Sequence, residues 1–443
     1  LGASAVSARG AGGVRGAGMA GGAGTGRFCR QIIQKMRERG GEICPAPLFP
    51  LHLRCDMIVQ DIFRDLETVR KEAESMREFV KKEAVLVIAF VCAVVSMFFV
   101  PPSAAYAGYI DVPVLVQLFC LMTVVAGLQQ YGLFRVLARK ILSGRKSFRF
   151  LCAVLVLLPY VASMFVTNDV ALLTFVPFAL LLLGMCGRSQ TAPLIIVLQT
   201  AAANLGSMLL PSGNPQNLFL FSRYHMTMAQ LVGTVAPFAA VSLVLVLVPC
   251  FFVPDLSVSV DVPAQEGETD VRRLAVFGAL FVLCMLCVLH VVSVYIALAA
   301  VVAAALLVSP STLRRTDYAL LATFVCFFVF SGNMGNIPAV RAFLEAMLEK
   351  SVVVTSALTS QVISNVPAAV LLAEFTSDGH GLLLGTNLGG LGTPVASLAS
   401  LISLKLYARS EGAEMKSFLA AFAAVNAGGL VILFAFGALT GLL

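Results

Sequence analysis

Four short polar strings interrupt long apolar runs in this chain. They are Thr167-Asn168-Asp169, Ser212-Gly213-Asn214-Pro215-Gln216-Asn217, Ser364-Asn365-Val366-Pro367 and Thr393-Pro394-Val395-Ala396-Ser397. In hydrocarbon, non-helical backbone survives only where protein, water or a ligand satisfies its polar groups. Proline removes a donor and releases carbonyls upstream, and glycine lets another backbone approach closely. Freed carbonyls with Asn and Ser oxygens can make a small-cation site, and half-helix N-termini can face an anion. An ordinary kink or a loop at the membrane edge would explain one such break. Four breaks in two matched pairs point instead to a substrate and ion site. The residues expected to form it are Thr167, Asn168, Asp169, Gly213, Asn214, Pro215, Asn217, Ser364, Asn365, Thr393, Pro394, Ala396 and Ser397.

Asp169 is the one acid well within an apolar run, whereas Asp317 and Glu374 lie near run ends. An ionisable side chain at this depth is expensive and reads as functional, either binding a cation or carrying a proton. Its plainer role is to cap a helix that starts at Val170; the two roles can coexist. Lys405, near its run end, reads as a snorkelling side chain. No Arg or Lys is central in any run, so an anionic substrate would be held by helix ends, hydroxyls, amides and cations.

The elements that position these residues follow from composition. Of 443 residues 59% are hydrophobic and only 12% charged, with a mean hydropathy of +0.91. Half the usual charge cannot coat a soluble globule of this size, and whole-chain disorder is excluded for the same reason. The chain therefore reads as an all-α polytopic membrane protein; a barrel would show alternating segments of about ten residues. Residues 1–83 carry a large share of the charged side chains. The net charge of +7 fits a cytoplasmic-side bias and calls for no nucleic acid. Cysteines such as Cys92, Cys120 and Cys152 lie in apolar runs as small hydrophobes, and the Cys284/Cys287 pair has no second pair to make a metal site. Gly-x-Ser-x-Gly, His-Glu-x-x-His and a second deep Asp are all missing, which leaves an intramembrane enzyme as a remote alternative. No cofactor is expected beyond a coupling ion.

Residues 1–56 read as a disordered tail, Gly/Ala/Arg-rich at its start and a candidate over-extended start, with Met36 and Met57 as alternative first residues. Residues 57–83 space Ile58, Ile62, Leu66, Val69, Ala73, Met76 and Val80 as an amphipathic lead-in helix. The first repeat is expected over 84–253, an acidic cytoplasmic linker over 254–272 and the second repeat over 273–443. If 147–186 and 351–376 are each re-entrant hairpins, a choice made with the family resemblance named below, about nine full spans remain. A chain begun at Met57 should insert and transport like the full one, since composition denies the tail a core; matched uptake assays of the two chains check this.

Basic residues crowd 131–149, and the 101–112 connection has none. The positive-inside rule then puts the N-terminus in the cytoplasm and the C-terminus outside, with only Arg223, Arg341 and Lys350 among the outer loops. The cell membrane is the expected location, with a homodimer as the expected assembly. Two stretches match internally. Asn204-Leu205-Gly206 precedes Pro211 by the same spacing as Asn387-Leu388-Gly389 precedes Pro394. Upstream of each come an amphipathic segment (131–143 and 336–350) and a polar hairpin tip. The charge bias places the two copies on opposite sides, which makes an inverted repeat.

Across about 84–443 these strings resemble the ion transporter superfamily, in particular its citrate-transporter-like domain. Thr167-Asn168-Asp169-x-Ala171-Leu172-Leu173, Gly213-Asn214-Pro215-Gln216-Asn217 and the 392–401 stretch GTPVASLASL carry the resemblance. The group includes divalent anion:sodium symporters, arsenite permeases and sodium/proton antiporters. The resemblance implies a secondary active transporter of a small anion, carboxylates among them, coupled to Na⁺ or H⁺ by elevator-type alternating access. It also implies Na⁺ sites where hairpin tips face broken helices, at Asn168, Asp169, Gly213, Asn365 and Ala396. The symporters carry Ser-Asn-Thr at each tip. Here both asparagines stand, and Asp169 and Val366 replace the third-position hydroxyls that contact a carboxylate. The Asn-Asp pair is closer to the arsenite-permease and antiporter branches, so an Asp169-based cation/proton antiporter or efflux permease is the alternative. By internal alignment, Ala396 and Ser397 are the counterparts of Gly213 and Asn214.

Overall fold

The computed structural model describes residues 83–132, 144–260 and 270–443, all within one unit, Phe79–Leu443. The expected tail, nearly all of the lead-in helix, the amphipathic stretch 133–143 and residues 261–269 of the linker lie outside the described residues. The first half holds α1 (Ala84–Met97), the short α2 (Tyr106–Tyr109), α3 (Val112–Gln130), β1 (Gly144–Ser147), α4 (Phe148–Phe165) and α5 (Asn168–Met185). It continues with α6 (Ala192–Gly206), α7 (Pro215–Arg223) and α8 (Met228–Phe251). After β2 (Ser257–Val260) come α9 (Val271–Val288), α10 (Val294–Val308), α11 (Pro310–Arg315), α12 (Tyr318–Gly335) and α13 (Pro338–Lys350). The chain ends with α14 (Val352–Ile363), α15 (Asn365–Leu372), α16 (Gly379–Leu388), α17 (Leu398–Ala408) and α18 (Met415–Thr440).

Helix boundaries follow local chemistry. Asp111, Asp270, Asp317 and Asp378 each accept a backbone N–H in the first turn of α3, α9, α12 and α16. Thr227 and Gln230 form a reciprocal capping box at the start of α8. Gly441, at φ 68°, closes α18.

Among the described residues eight helices are long and apolar enough to cross a membrane, which makes this a polytopic membrane protein. They differ in part from the expected spans. Each arm of the first hairpin, α4 and α5, has 18 residues and joins the eight; at 1.5 Å per residue that is about 27 Å. The second hairpin stays short, with arms of 12 and 8 residues. Helices α1 and α10, expected as full spans, stop at 14 and 15 residues.

The apolar runs fold as helices, and the connections beside them add one short strand pair. β1 and β2 pair antiparallel, Gly144 opposite Val260 and Ser147 opposite Ser257. The β1 string Gly-Arg-Lys-Ser carries no apolar alternation, and the Ser-Val-Ser-Val of β2 alternates over four residues only. The pairing follows from tertiary structure, which brings the start of α4 beside the end of α8. Phe148 N–H donates to the Leu256 carbonyl at 2.8 Å, Arg149 Nε to the Val253 carbonyl at 2.8 Å, and the Ser147 hydroxyl to the Asp255 carboxylate.

Helix α6 lies at the centre, packed by α4, α5, α8, α17 and α18. Helices α1 and α12 pack together, and α3 packs on α9 and α10. The two broken helices run between the same two ends in opposite senses. Ser189 and Ala192, where α6 begins, share a cavity with Gly184 and Met185 at the end of α5 and with Tyr407 and Gly412 at the end of α17. At the other end Arg223 of α7 pairs with Glu374 at 3.3 Å, Tyr224 donates to the Thr376 carbonyl at 2.9 Å, and Gly379 of α16 lies against the Tyr224 ring.

Candidate functional site

Both hairpin tips and both helix breaks converge on one buried belt of amides and hydroxyls. At the first tip Thr167 occupies the N-cap position of α5, half-buried, and its side chain makes no capping bond. Asn168 is the first helical residue, so the helix begins two residues before Val170. The Asn168 Oδ1 accepts the Asp169 N–H at 2.9 Å, and its Nδ2 donates to Asn204 Oδ1 at 2.9 Å. Asp169 sits in the first turn with its Oδ1 buried and accepting no hydrogen bond. It therefore does not perform the side-chain capping that its position suggested.

After Gly206, α6 gives way to two short 3-10 turns, Ser207–Leu209 and Pro211–Gly213. The turns pack against the end of α4, where the Ser212 hydroxyl donates to the Met164 carbonyl at 3.2 Å. A Cβ on Gly213 would stand 2.1 Å from the Ser207 carbonyl oxygen and 2.8 Å from that of Ser163, so only glycine fits. Asn214, in extended backbone, precedes α7, and Pro215 supplies its first residue, where a missing N–H costs nothing. The Asn217 Nδ2 gathers the carbonyls that the break releases, those of Ser207, Met208 and Leu210, at 3.1, 3.3 and 3.4 Å.

The second half repeats the pattern with local changes. Ser364 holds φ 75°, a strained value for a side-chain-bearing residue, and turns the chain from α14 into α15. Asn365 N–H donates to the Ala396 carbonyl at 3.0 Å, and the Ser364 hydroxyl reaches the same carbonyl at 3.3 Å. Ala396 is fully buried and Ser397 starts α17. Thr393 is exposed and binds Gln361 rather than the belt, its N–H donating to Gln361 Oε1 at 2.8 Å and its hydroxyl to the Gln361 carbonyl at 3.0 Å. Pro394, half-buried, makes no polar contact with the belt.

Two residues outside the expected set join the halves. Ser397 Oγ donates to Asn204 Oδ1 at 2.9 Å, and Asn204 Nδ2 donates to the Gly390 carbonyl at 3.3 Å. In the matching place, Asn214 Nδ2 donates to Asn387 Oδ1 at 3.3 Å, and Asn387 Nδ2 donates to Asn217 Oδ1 at 2.7 Å. Each Asn of an Asn-Leu-Gly string thus bonds the residue that opens the other half's second half-helix. Asn204 and Asn387 were visible as the anchors of the internal repeat, and that repetition was the signal of their role.

Chemically the belt is neutral apart from Asp169. Its buried, donorless acceptors include Asp169 Oδ1, Asn214 Oδ1 and the Oε1 of Gln216 in the same break, which suit a cation or a donor-bearing solute.

A family model described as citrate transporter matches residues 76–378, more than half of the chain. The chain belongs to the citrate transporter family. Within and around that family it is 30% identical over 314 residues to the inner membrane protein YbiR of Escherichia coli, covering 70% of this chain and 84% of that protein. It is 29% identical over 296 residues to an uncharacterized transporter of Methanocaldococcus jannaschii, covering 66% of this chain and 79% of that one. A shorter stretch of 116 residues, 26% of this chain and 23% of the relative, is 34% identical to the silicon efflux transporter LSI3 of rice, Oryza sativa. This citrate transporter family member is a multi-pass membrane transporter and not an enzyme.

Proposed function

We propose that the protein is a secondary active transporter of a small anion, coupled to Na⁺ or H⁺ by alternating access, with the asparagine belt as its substrate and ion site. The observation that carries this reading is the reciprocal pairing of Asn204 with Ser397 and of Asn387 with Asn214. A site shared equally by two halves can open to either side when the halves shift, which is the property alternating access needs. We read the halves as inverted repeats. In support, α6–α7 and α16–α17 run in opposite senses between the two hairpin mouths. With the basic 131–149 connection in the cytoplasm of a cell-membrane protein, the Arg223 end faces outward and the C-terminus lies outside. Uptake into proteoliposomes of citrate, succinate, sulfate, phosphate and arsenite, with Na⁺ and pH gradients imposed separately, tests the reading. Failure of every gradient to drive any of the five would sink it.

A second reading is favoured by one atom, the donorless Oδ1 of Asp169, whose counterpart in the other half is Val366. Here Asp169 is the exchange site of an efflux permease or antiporter. Asp169→Asn preserves shape and eases burial. If the carboxylate carries a proton, uptake by the parent varies with pH and the variant loses that dependence. If it binds a cation, the Na⁺ concentration for half-maximal rate rises about tenfold in the variant, as expected for a lost charged ligand. Initial rates against Na⁺ at several pH values, at matched expression, separate these outcomes. Unchanged behaviour would move coupling to the carbonyls of the breaks.

A further inference from the structure

We infer that a second cavity, where the α7–α8 turn meets the α9–α10 turn, binds a small oxyanion that carries at least one O–H group. On the transporter reading above, it receives the solute at the Arg223 end. The cavity has a volume of ≈ 420 Å³, and its polar lining includes Asp111, Gln117, Arg223, His225, His290 and Ser293. Three features of this lining set the chemistry.

The first is the histidine pair. His225 and His290 are in the left-handed region, at φ 49° and 59°, each closing a helix. Met226 N–H returns to the Phe221 carbonyl at 3.0 Å and Val291 N–H to that of Leu286 at 2.9 Å. Glycine fits such a closing position without strain and a larger side chain does not. The chain nonetheless places an imidazole at both, with the rings 6.4 Å apart and Phe221 stacked on His290.

The second is an excess of donors. The closing turns occupy the Leu220, Phe221 and Ser222 carbonyls of α7 and the Met285, Leu286 and Cys287 carbonyls of α9. The N-terminus of α10 opens here, and the Ser293 hydroxyl caps nothing. Arg223 meets Glu374 through Nη2 alone. The Oδ1 of Asp111, the acid in the lining, accepts the Val114 N–H at 3.1 Å. Guanidinium, imidazoles, hydroxyl and helix N-terminus together suit an anion.

The third is Gln117. It is only 5% exposed, its amide lies against the Cys287 thiol, and its Oε1 is buried with no donor. A bare anion leaves that oxygen unmet, whereas a ligand O–H satisfies it. Hydroxycarboxylates and protonated mineral oxyacids share this combination of acceptors and one donor.

Calorimetric titration of the detergent-solubilised full chain tests the assignment with two matched pairs, malate against succinate and hydrogen phosphate against sulfate. The hydroxyl-bearing member should bind about tenfold more tightly, the worth of one buried hydrogen bond. A preference in the malate pair alone assigns the site to hydroxycarboxylates, and one in the phosphate pair alone to mineral oxyacids. Gln117→Leu should erase the preference without loss of fold, because it removes a buried unmet acceptor. His225→Gly with His290→Gly should weaken binding of all four anions about tenfold. The same double variant should keep or raise the melting temperature, because glycine suits both backbones. Equal affinities within both pairs, a preference that survives Gln117→Leu, or binding unchanged by the double glycine variant overturns the inference. Preferences that persist in a chain inactive in every uptake assay would sink the transport reading and leave this site standing.

Discussion

Asn387→Leu should all but stop transport while the protein still reaches the membrane. The side chain bonds across the seam twice, accepting from Asn214 Nδ2 and donating to Asn217 Oδ1. Leucine fills the volume but leaves both groups without that partner in a buried place, at about 1–3 kcal/mol each. Asn217 still holds the three carbonyls of the break through Nδ2, so the break persists and the damage falls on its junction with the second half. A penalty near the middle of that range for two groups corresponds to a loss of about a hundredfold or more in rate. Asn426→Leu is the matched control. Asn426 is equally buried, its Oδ1 already lacks a partner, and its Nδ2 serves only the Phe422 carbonyl of its own helix. Uptake per folded molecule, with folding read from the detergent melting curve, should fall for Asn387→Leu and hold for Asn426→Leu. Equal uptake in the two variants would refute a working role for the belt.

Gly213→Ala should be the most damaging single methyl in the described residues of the belt. The added Cβ meets two backbone carbonyl oxygens, not a side chain that can turn away. Relief requires moving either the 3-10 turn at Ser207 or the end of α4 at Ser163, and the first of these carries the Asn214 and Asn217 contacts. Overpacking of this kind costs about 1–3 kcal/mol or more. The melting temperature should therefore drop by several degrees and transport should be lost. The counterpart position already carries Ala396, whose carbonyl serves Asn365, so Ala396→Gly should cost far less. Gly428→Ala on α18, where an added Cβ meets nothing within 4 Å, should be neutral or slightly stabilising. Thermal melts of the three variants check the order, and a Gly213→Ala protein as stable as Gly428→Ala would contradict it.

The repeat was legible because its marks are local. An Asn-Leu-Gly string with a proline at fixed spacing reads off the chain directly, as do the polar tips that break apolar runs. The partner choices were not legible. Ser397 finds Asn204 across 193 positions and Asn214 finds Asn387 across 173, and no local pattern encodes such pairings. Asp169 stands beside a helix start, as read, but the capping alternative is not what its carboxylate does there. The helix begins at Asn168 because that side chain accepts the Asp169 N–H, leaving the carboxylate for other work. Thr393 and Pro394 share a string with Ser397 yet turn away, because Gln361 takes the Thr393 N–H and hydroxyl for itself. The strand pair was not legible since the Ser-Val-Ser-Val alternation of β2 is too short to stand out and its partner Gly-Arg-Lys-Ser has none. The short α1 and α10 show that an apolar run can outlast the helix it contains.

The four cross-seam bonds of the belt link amides, one hydroxyl and one carbonyl, and none is an ion pair. Hydrogen bonds between helices inside membranes average about 0.6 kcal/mol each, so when water can replace the partners the whole set holds with only about 2 kcal/mol, a few times the thermal energy. A latch of that strength releases spontaneously on the microsecond-to-millisecond scale of domain motions. The belt itself has no salt-screened component, so between the halves ionic strength acts on the half-exposed Arg223–Glu374 pair and not on the belt. On the alternating-access reading proposed above, occupancy of the belt, and not the rupture of a strong contact within it, would then set the pace of the cycle.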